Sequence, residues 1–183
     1  MRCKVSKLRI KPFISFGKMP MANGFLKKKD FKNEFFYNLS VSFSEKLSLL
    51  QLNDHPNPKK MFHTNYPFYT SSSYFMKLHF KKYAEWAKKK YLKKSKNKII
   101  AIGSNDGTFL KNFKNENIKH IGFEPSQNVA DLSKKIGVNV LNNFFNYENA
   151  NNLSDFKNKT DVICAANVIC HIPNLIDLIK GID

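Results

Sequence analysis

Ile99-Ile100-Ala101-Ile102-Gly103-Ser104-Asn105-Asp106-Gly107-Thr108-Phe109-Leu110 is the stretch whose reading decides the fold. Aliphatic residues run up to Gly103, as a strand covered on both faces requires. Gly103 and Gly107 then bracket a short polar loop, and a helix is expected to follow. Glycine lets backbone approach a ligand closely, and the first turn of a helix offers it free N–H groups. The spacing is G-x-x-x-G. It differs from the G-x-G-x-x-G of dinucleotide binders, and the Lys-Ser/Thr of a phosphate-cradling loop is absent. An ordinary strand-turn-helix has the same outline, so the loop alone does not identify a ligand.

The next strand narrows the reading. Lys119-His120-Ile121-Gly122-Phe123 runs into Glu124-Pro125-Ser126. A carboxylate at the tip of a second parallel strand is placed to accept both hydroxyls of a ribose. Glu124 follows Gly107 by 17 residues, near the ~20-residue spacing within one βαβ unit. Pro125 stops the strand and Ser126 is expected to cap the next helix.

The chain from Lys98 alternates. Strands are expected at 98–102, 119–123, 138–141 and 160–165, and helices near 107–115, 126–135, 146–153 and 173–181. That order predicts a parallel sheet with helices on both faces. Residues 1–60 read as short strand-like pieces broken by Pro12, Gly17, Pro20, Gly24, Pro56 and Pro58. A long helix is expected over about 72–96, with Ser71, Ser72 and Ser73 as candidate caps. Three segments result: an N-terminal module at 1–60, a connecting segment with the long helix at 61–97, and the α/β segment at 98–183.

Composition bounds the function. The 183 residues are 42% hydrophobic, ample for a core. No apolar run reaches the ~18 residues of a membrane span. Charges follow Met1-Arg2-Cys3-Lys4, so no secretory signal is read. The three cysteines, Cys3, Cys164 and Cys170, form no disulfide framework and suit a reducing cytoplasm. The net charge of +17 sits wholly in the first half. Residues 1–98 carry 23 Lys/Arg against 5 Asp/Glu, a net +18, and residues 99–183 carry 8 against 9, a net −1. Lys77, Lys81, Lys82, Lys88, Lys89 and Lys90 interleave with Phe80, Tyr83, Ala84, Trp86, Ala87 and Tyr91, the pattern of an amphipathic helix with a basic outer face. The chain is rich in residues with AT-rich codons, which accounts for the lysines better than a nucleic-acid partner does. A basic surface also attracts a diphosphate-bearing substrate.

Several separated motifs resemble the S-adenosylmethionine (SAM)-dependent C-methyltransferases of nucleotide-linked deoxysugars. Ser15-Phe16-Gly17-Lys18-Met19-Pro20-Met21-Ala22-Asn23-Gly24-Phe25-Leu26 resembles the family's N-terminal G-x-x-P-x-A-N-x-F-L, and Leu49-Leu50-Gln51-Leu52 its L-V-Q-L. Asn65-Tyr66-Pro67-Phe68-Tyr69-Thr70-Ser71-Ser72-Ser73, with His79, resembles its Tyr/Ser-rich segment. Ile102–Leu110 matches I-G-S-N-D-G-T-x-L, Gly122–Ser126 matches G-x-E-P-S, and Ala166–Asn174 matches x-N-V-x-x-H-I-P-[DN]. The resemblance implies part of a class I methyltransferase Rossmann-like sheet, preceded by a small ribbon-like module and a long helix.

Three departures accompany it. Family members carry two C-x-x-C pairs that hold structural zinc. Here Cys3 remains, Ser6 replaces its partner, and Ser44 and Leu47 stand at the second pair. The ribbon is therefore expected to be metal-free, because hydroxyl and aliphatic groups do not replace thiolates. Ala101 stands where a carboxylate commonly orients the methionine end of SAM. Only four strands are readable, fewer than a complete sheet of this class. A truncated or split member is expected, with a separately encoded C-terminal half as a candidate partner.

By resemblance, the reaction is C-methylation of a keto-deoxysugar carried on a nucleotide. The α-proton is removed and the resulting enolate attacks the SAM methyl. His171, after the fourth strand, is the candidate base or donor, and Tyr66 is its candidate partner on the substrate side. Gly103, Ser104, Asn105, Asp106, Gly107, Glu124, Pro125 and Asn167 are the expected cofactor contacts. An inactive remnant serving as a binding subunit is the alternative; a lysine-rich nucleic-acid binder is the third.

Overall fold

The computed structural model describes every residue except Gly24 and Asn115. The chain divides into two compact units, residues 1–62 with 173–175, and residues 63–172 with 176–183. The expectation that Gly24 breaks a strand falls outside the described residues.

The first unit is an antiparallel sheet of β1 (Pro12–Pro20), β2 (Phe36–Ser44) and β3 (Leu49–Leu52), in that order. Pro12 and Pro20 lie at the ends of the edge strand, where a missing N–H is tolerated. Gly17 does not break the strand as expected. Its φ of +72° accompanies a register shift between Ser15 and Lys18, so it makes a bulge instead. A short helix, α1 (Pro58–Met61), has Pro58 in its first turn and Asn57 as its cap, the side chain accepting from the Lys59 N–H at 3.0 Å.

The second unit opens with α2 (Tyr74–Tyr91). Of the three candidate caps it is Ser73 that serves, accepting from the Met76 N–H at 3.3 Å. Phe80, Tyr83, Ala84 and Ala87 share one stripe at helical spacing, and Ala84 and Ala87 are buried. Tyr83 stacks on Phe109 with centroids 5.3 Å apart, and Phe109 meets Phe113 edge-on at 5.2 Å. Lys81, Lys82, Lys89 and Lys90 stay exposed, so the outer face is basic as expected. It also carries the exposed aromatics Tyr74, Phe75 and Trp86.

The sheet beneath comprises β4 (Asn97–Ile102), β5 (Ile118–Phe123), β6 (Val140–Leu141) and β7 (Val162–Ala165), all parallel, in the order β6-β5-β4-β7. Three further helices are α3 (Gln127–Lys135), α4 (Tyr147–Asn151) and α5 (Leu175–Ile182). Ile99 and Ala101 enter the core on the α2 side with Leu110, Phe113 and Ile118. On the other face, Phe123 meets Phe145 at 5.0 Å, and Gly181 of α5 lies against Phe145. Leu110, Phe113 and Phe123 are fully buried, each stabilising the fold by roughly 1.5–3 kcal/mol. The mixed α/β architecture expected from the sequence is thus present, with helices on both faces of a parallel sheet.

Two local expectations fail. The helix over 107–115 is a 3-10 turn at Leu110–Phe113. The Asn112 amide competes for helix carbonyls by donating to Thr108 O at 3.1 Å and Phe109 O at 2.8 Å. The glycine loop therefore does not feed a helix N-terminus. Ser126 occupies the first position before α3, but its side chain makes no capping bond. Among the described residues, no helix is long and apolar enough to cross a membrane.

Candidate functional site

The chain leaves β4 at the centre of the sheet, moves outward through β5 and β6, then returns to the other side of β4 as β7. Ligands of open α/β sheets bind outside the carboxyl ends of the strands at such a reversal. Gly103 has φ +63°, and a Cβ on it would lie 2.4 Å from Val168 Cγ2. Glycine thus lets the loop after β4 close against the loop after β7. Gly107 has φ +78°, and a Cβ there would sit 2.6 Å from Ser133 Oγ. A Cβ on Gly122 would collide with Ser104 Oγ at 2.3 Å.

Glu124 is the hinge of the arrangement. Its N–H donates to Leu141 O at 3.0 Å, continuing the β5–β6 ladder. Its carboxylate, 4% exposed, accepts the Asn105 N–H at 3.0 Å and the Ser126 N–H at 2.8 Å. Burial pushes the carboxyl above its usual value, opposed by hydrogen bonds from Ser126 and Asn105. Pro125 is partly buried, and its carbonyl accepts from Asn142 Nδ2 at 2.9 Å. Ser104 N–H donates to Phe123 O at 3.0 Å. Ser104 Oγ is buried without a hydrogen-bond partner among the described residues, and Ser126 Oγ lies against the Glu124 carboxylate without hydrogen-bond geometry.

Asn105 and Asp106, two of the expected cofactor contacts, turn their side chains to the segment before α2 and to Thr108. Asn105 Oδ1 accepts the Thr70 N–H at 2.8 Å and its amide donates to Phe68 O at 3.1 Å. Asp106 accepts the Ser71 N–H at 2.8 Å, with Thr108 N–H and hydroxyl on its other oxygen at 3.2 and 2.7 Å. Both side chains are thus engaged in strapping residues 66–71 to the glycine loop. Asn128, which sequence reasoning missed, completes the strap. It accepts the Tyr66 N–H at 3.2 Å and donates to Tyr66 O at 2.9 Å and to the Tyr69 hydroxyl at 2.5 Å. Its partners lie about sixty residues away, and no local signal marks it.

Tyr66 sits edge-on to Phe68 at 5.6 Å. Burial, and next the nearby Glu124 charge, raise its phenol above the usual value. The phenol therefore stays protonated at neutral pH and acts as a hydrogen-bond donor. Asn167, at φ 55°, is exposed in the turn after β7. His171 closes a 3-10 turn at Ile169–His171, is exposed, and has its N–H on Val168 O at 2.9 Å. Both share the Val168 loop that packs on Gly103. Ala101 is 4% exposed and belongs to the apolar core. A different opening, of about 410 Å³, lies beside β5 and β6 between Lys119, His120, Asn139, Asp155 and Phe156. It includes none of the sequence-predicted residues.

Residues 74–183 match a family described as a methyltransferase domain, and the chain belongs to that family. Residues 3–62 match one described as "Putative zinc binding domain". The chain is 21% identical over 170 residues to C-methyltransferase NovU of Streptomyces niveus, covering 92% of this chain and 40% of that protein. It thus spans about two fifths of the length of the curated relative it matches. The tandem of the two domains and this relative agree with the sugar C-methyltransferase-like family expected from the motifs. Among the described residues, no group of three or more His, Cys, Asp or Glu side chains could hold a metal.

Proposed function

We propose that this chain forms the cofactor-binding part of a SAM-dependent C-methyltransferase acting on a nucleotide-linked keto-deoxysugar. The observation that carries the reading is the buried Glu124 carboxylate, tied to the glycine loop at the reversal of strand order. Each Glu124 oxygen accepts one N–H and keeps acceptor capacity for one ribose hydroxyl. Ser104 Oγ, buried and without a hydrogen-bond partner among the described residues, offers a further group on the same loop. Gly103 and Gly107 keep the loop backbone bare for close approach. These residues fit the adenosine end of SAM. When bound, SAM supplies an electrophilic methyl group on a sulfonium.

The remaining chemistry falls to two side chains. His171 would accept the proton from the carbon beside the ketone, leaving an enolate there as the acceptor for the methyl that SAM supplies. The protonated Tyr66 phenol donates to the enolate oxygen and disperses its charge. The loop containing Val168 brings the His171 turn to Gly103, and Asn128 holds the Tyr66 backbone.

Ala101 favours a second reading, a subunit that binds ligand weakly without turning it over. Its methyl lies in the core, so no carboxylate at that place orients the amino-acid end of SAM. Isothermal titration with SAM, using Gly103→Val and Glu124→Gln as controls, tests the first reading. Saturable heat lost in both variants supports it. No heat from a folded protein, or heat unaffected by Glu124→Gln, overturns it.

A further inference from the structure

Residues 1–62 keep the shape of a metal site while lacking the donors for one. Two turns place a left-handed residue at the same position. In Cys3-Lys4-Val5-Ser6-Lys7, the Ser6 N–H points at Cys3 Sγ at 3.5 Å and the Lys7 N–H donates to Cys3 O at 3.0 Å. Lys7 then turns left-handed at φ 60°. In Ser44-Glu45-Lys46-Leu47-Ser48, the Ser48 N–H donates to Glu45 O at 3.2 Å and Ser48 turns left-handed at φ 47°. In both, a left-handed residue follows three positions of tight turn. A residue other than glycine in that conformation costs roughly 1–2 kcal/mol, and both turns bear it.

The two turns meet around one sulfur. Cys3 is 0% exposed and Ser44 is 2% exposed. The Ser6 and Ser44 side chains lie against the thiol, and Ser6 leads the groups that pull it down to about 7 against the effect of burial. The Gln51 side chain fastens the first turn to β3, accepting the Lys4 N–H at 2.9 Å and donating to Arg2 O at 3.4 Å. Zinc in such a ribbon needs four thiolate or imidazole donors. The corresponding positions here offer one thiol, two hydroxyls that stay neutral, and the aliphatic Leu47. That set does not fit the metal.

We propose that residues 1–62 are a vacated zinc ribbon, in which the buried Cys3 thiol, accepting the Ser6 N–H and with buried Ser44 beside it, joins the two turns in place of the metal. The unit therefore folds without zinc, and Cys3, Ser6, Ser44 and Leu47 mark a latent tetrathiolate site.

The test uses the full chain, purified without chelator. Zinc content is measured by atomic emission, and thermal unfolding is followed by circular dichroism before and after a strong chelator. Zinc well below one equivalent, with no change in melting, is expected. Stoichiometric zinc, or melting that falls on chelation, overturns the proposal. The triple variant Ser6→Cys/Ser44→Cys/Leu47→Cys is expected to take up one equivalent of cobalt(II) with the intense absorption of tetrahedral thiolate ligation. A folded triple variant that takes up no cobalt in that form refutes the assignment of the four positions. Should the triple variant fail to fold, Ser44→Ala decides the hub. It is expected to lower the melting temperature of the zinc-free chain, and no lowering refutes Ser44 as part of the join.

Discussion

Replacing Asn128 with Ala removes three hydrogen bonds at one stroke: those to Tyr66 N–H, Tyr66 O and the Tyr69 hydroxyl. The site is partly buried, so water replaces some of what is lost. At ~1 kcal/mol per bond, the free energy holding residues 66–71 down falls by about 2–3 kcal/mol. Every 1.4 kcal/mol is about tenfold in an equilibrium constant, so local opening rises by about 30- to 150-fold. Amide hydrogen exchange read residue by residue measures this directly. The Tyr66 amide loses its acceptor and is expected to speed up by that factor. The Thr70 and Ser71 amides bond to Asn105 and Asp106, which the substitution leaves intact. If the strap opens as one unit, they accelerate in parallel with Tyr66, while amides of β4 do not change. Acceleration confined to Tyr66 would refute the strap as a cooperative element, and an unchanged Tyr66 rate would refute the bonding itself.

Gly103→Ala should cost roughly 1–2 kcal/mol for its left-handed backbone and a further ~1–3 kcal/mol for displacing Val168. Urea unfolding measures the sum, and adding Val168→Ala should recover only the steric share; full recovery would contradict the backbone argument. Asp161 accepts the Lys98 N–H at 2.8 Å and Lys94 Nζ at 2.6 Å, chiefly Lys94 holding its carboxyl below the usual value. A depressed carboxyl adds stability above its unfolded value and loses it as pH falls through the folded one. Asp161→Ala should therefore cost about 1 kcal/mol at neutral pH and progressively less in acid, and a cost that grows in acid would count against the assignment. The Cys3 thiol, lowered from 9.0 to about 7 first by the Ser6 hydroxyl, adds stability that is complete above 9.0 and lost as pH falls through about 7. Melting of the wild type relative to Cys3→Ser should accordingly rise from pH 7 to 9, and a flat difference would show that the thiol does not ionise in the fold.

The parts of the site carried by local chemistry were legible in the sequence. Gly103, Gly107 and Glu124 each answer a short-range demand of a strand-loop-strand unit, and the structure places them on one edge of the sheet. The turn at Leu110–Phe113 was misread because Phe109, Leu110 and Phe113 have helical spacing, while Asn112 turns its amide onto the carbonyls that a helix needs. Gly17 was misread because a glycine with positive φ serves a bulge as well as a break. The strap was invisible for a different reason. Asn128, Asn105 and Asp106 have the side chains of loop and cofactor residues, and only their partners between Tyr66 and Ser71 give them another task. Long-range pairing of that kind leaves no periodicity in a single chain.

The interior of residues 1–62 has a thermal consequence. Among the described residues its buried side chains are Cys3, Ser42, Ser44 and Gln51, while Phe13, Phe16, Phe25 and Leu50 remain largely exposed. Unfolding this unit uncovers little additional apolar surface, so its heat-capacity increment should fall below the ~12–15 cal/mol/K per residue of ordinary domains. Its stability then varies little between cold and warm, and its calorimetric transition is broad and shallow. Residues 63–172, with Ile99, Leu110, Phe113 and Phe123 packed inside, follow the usual curved dome and lose stability steeply on heating.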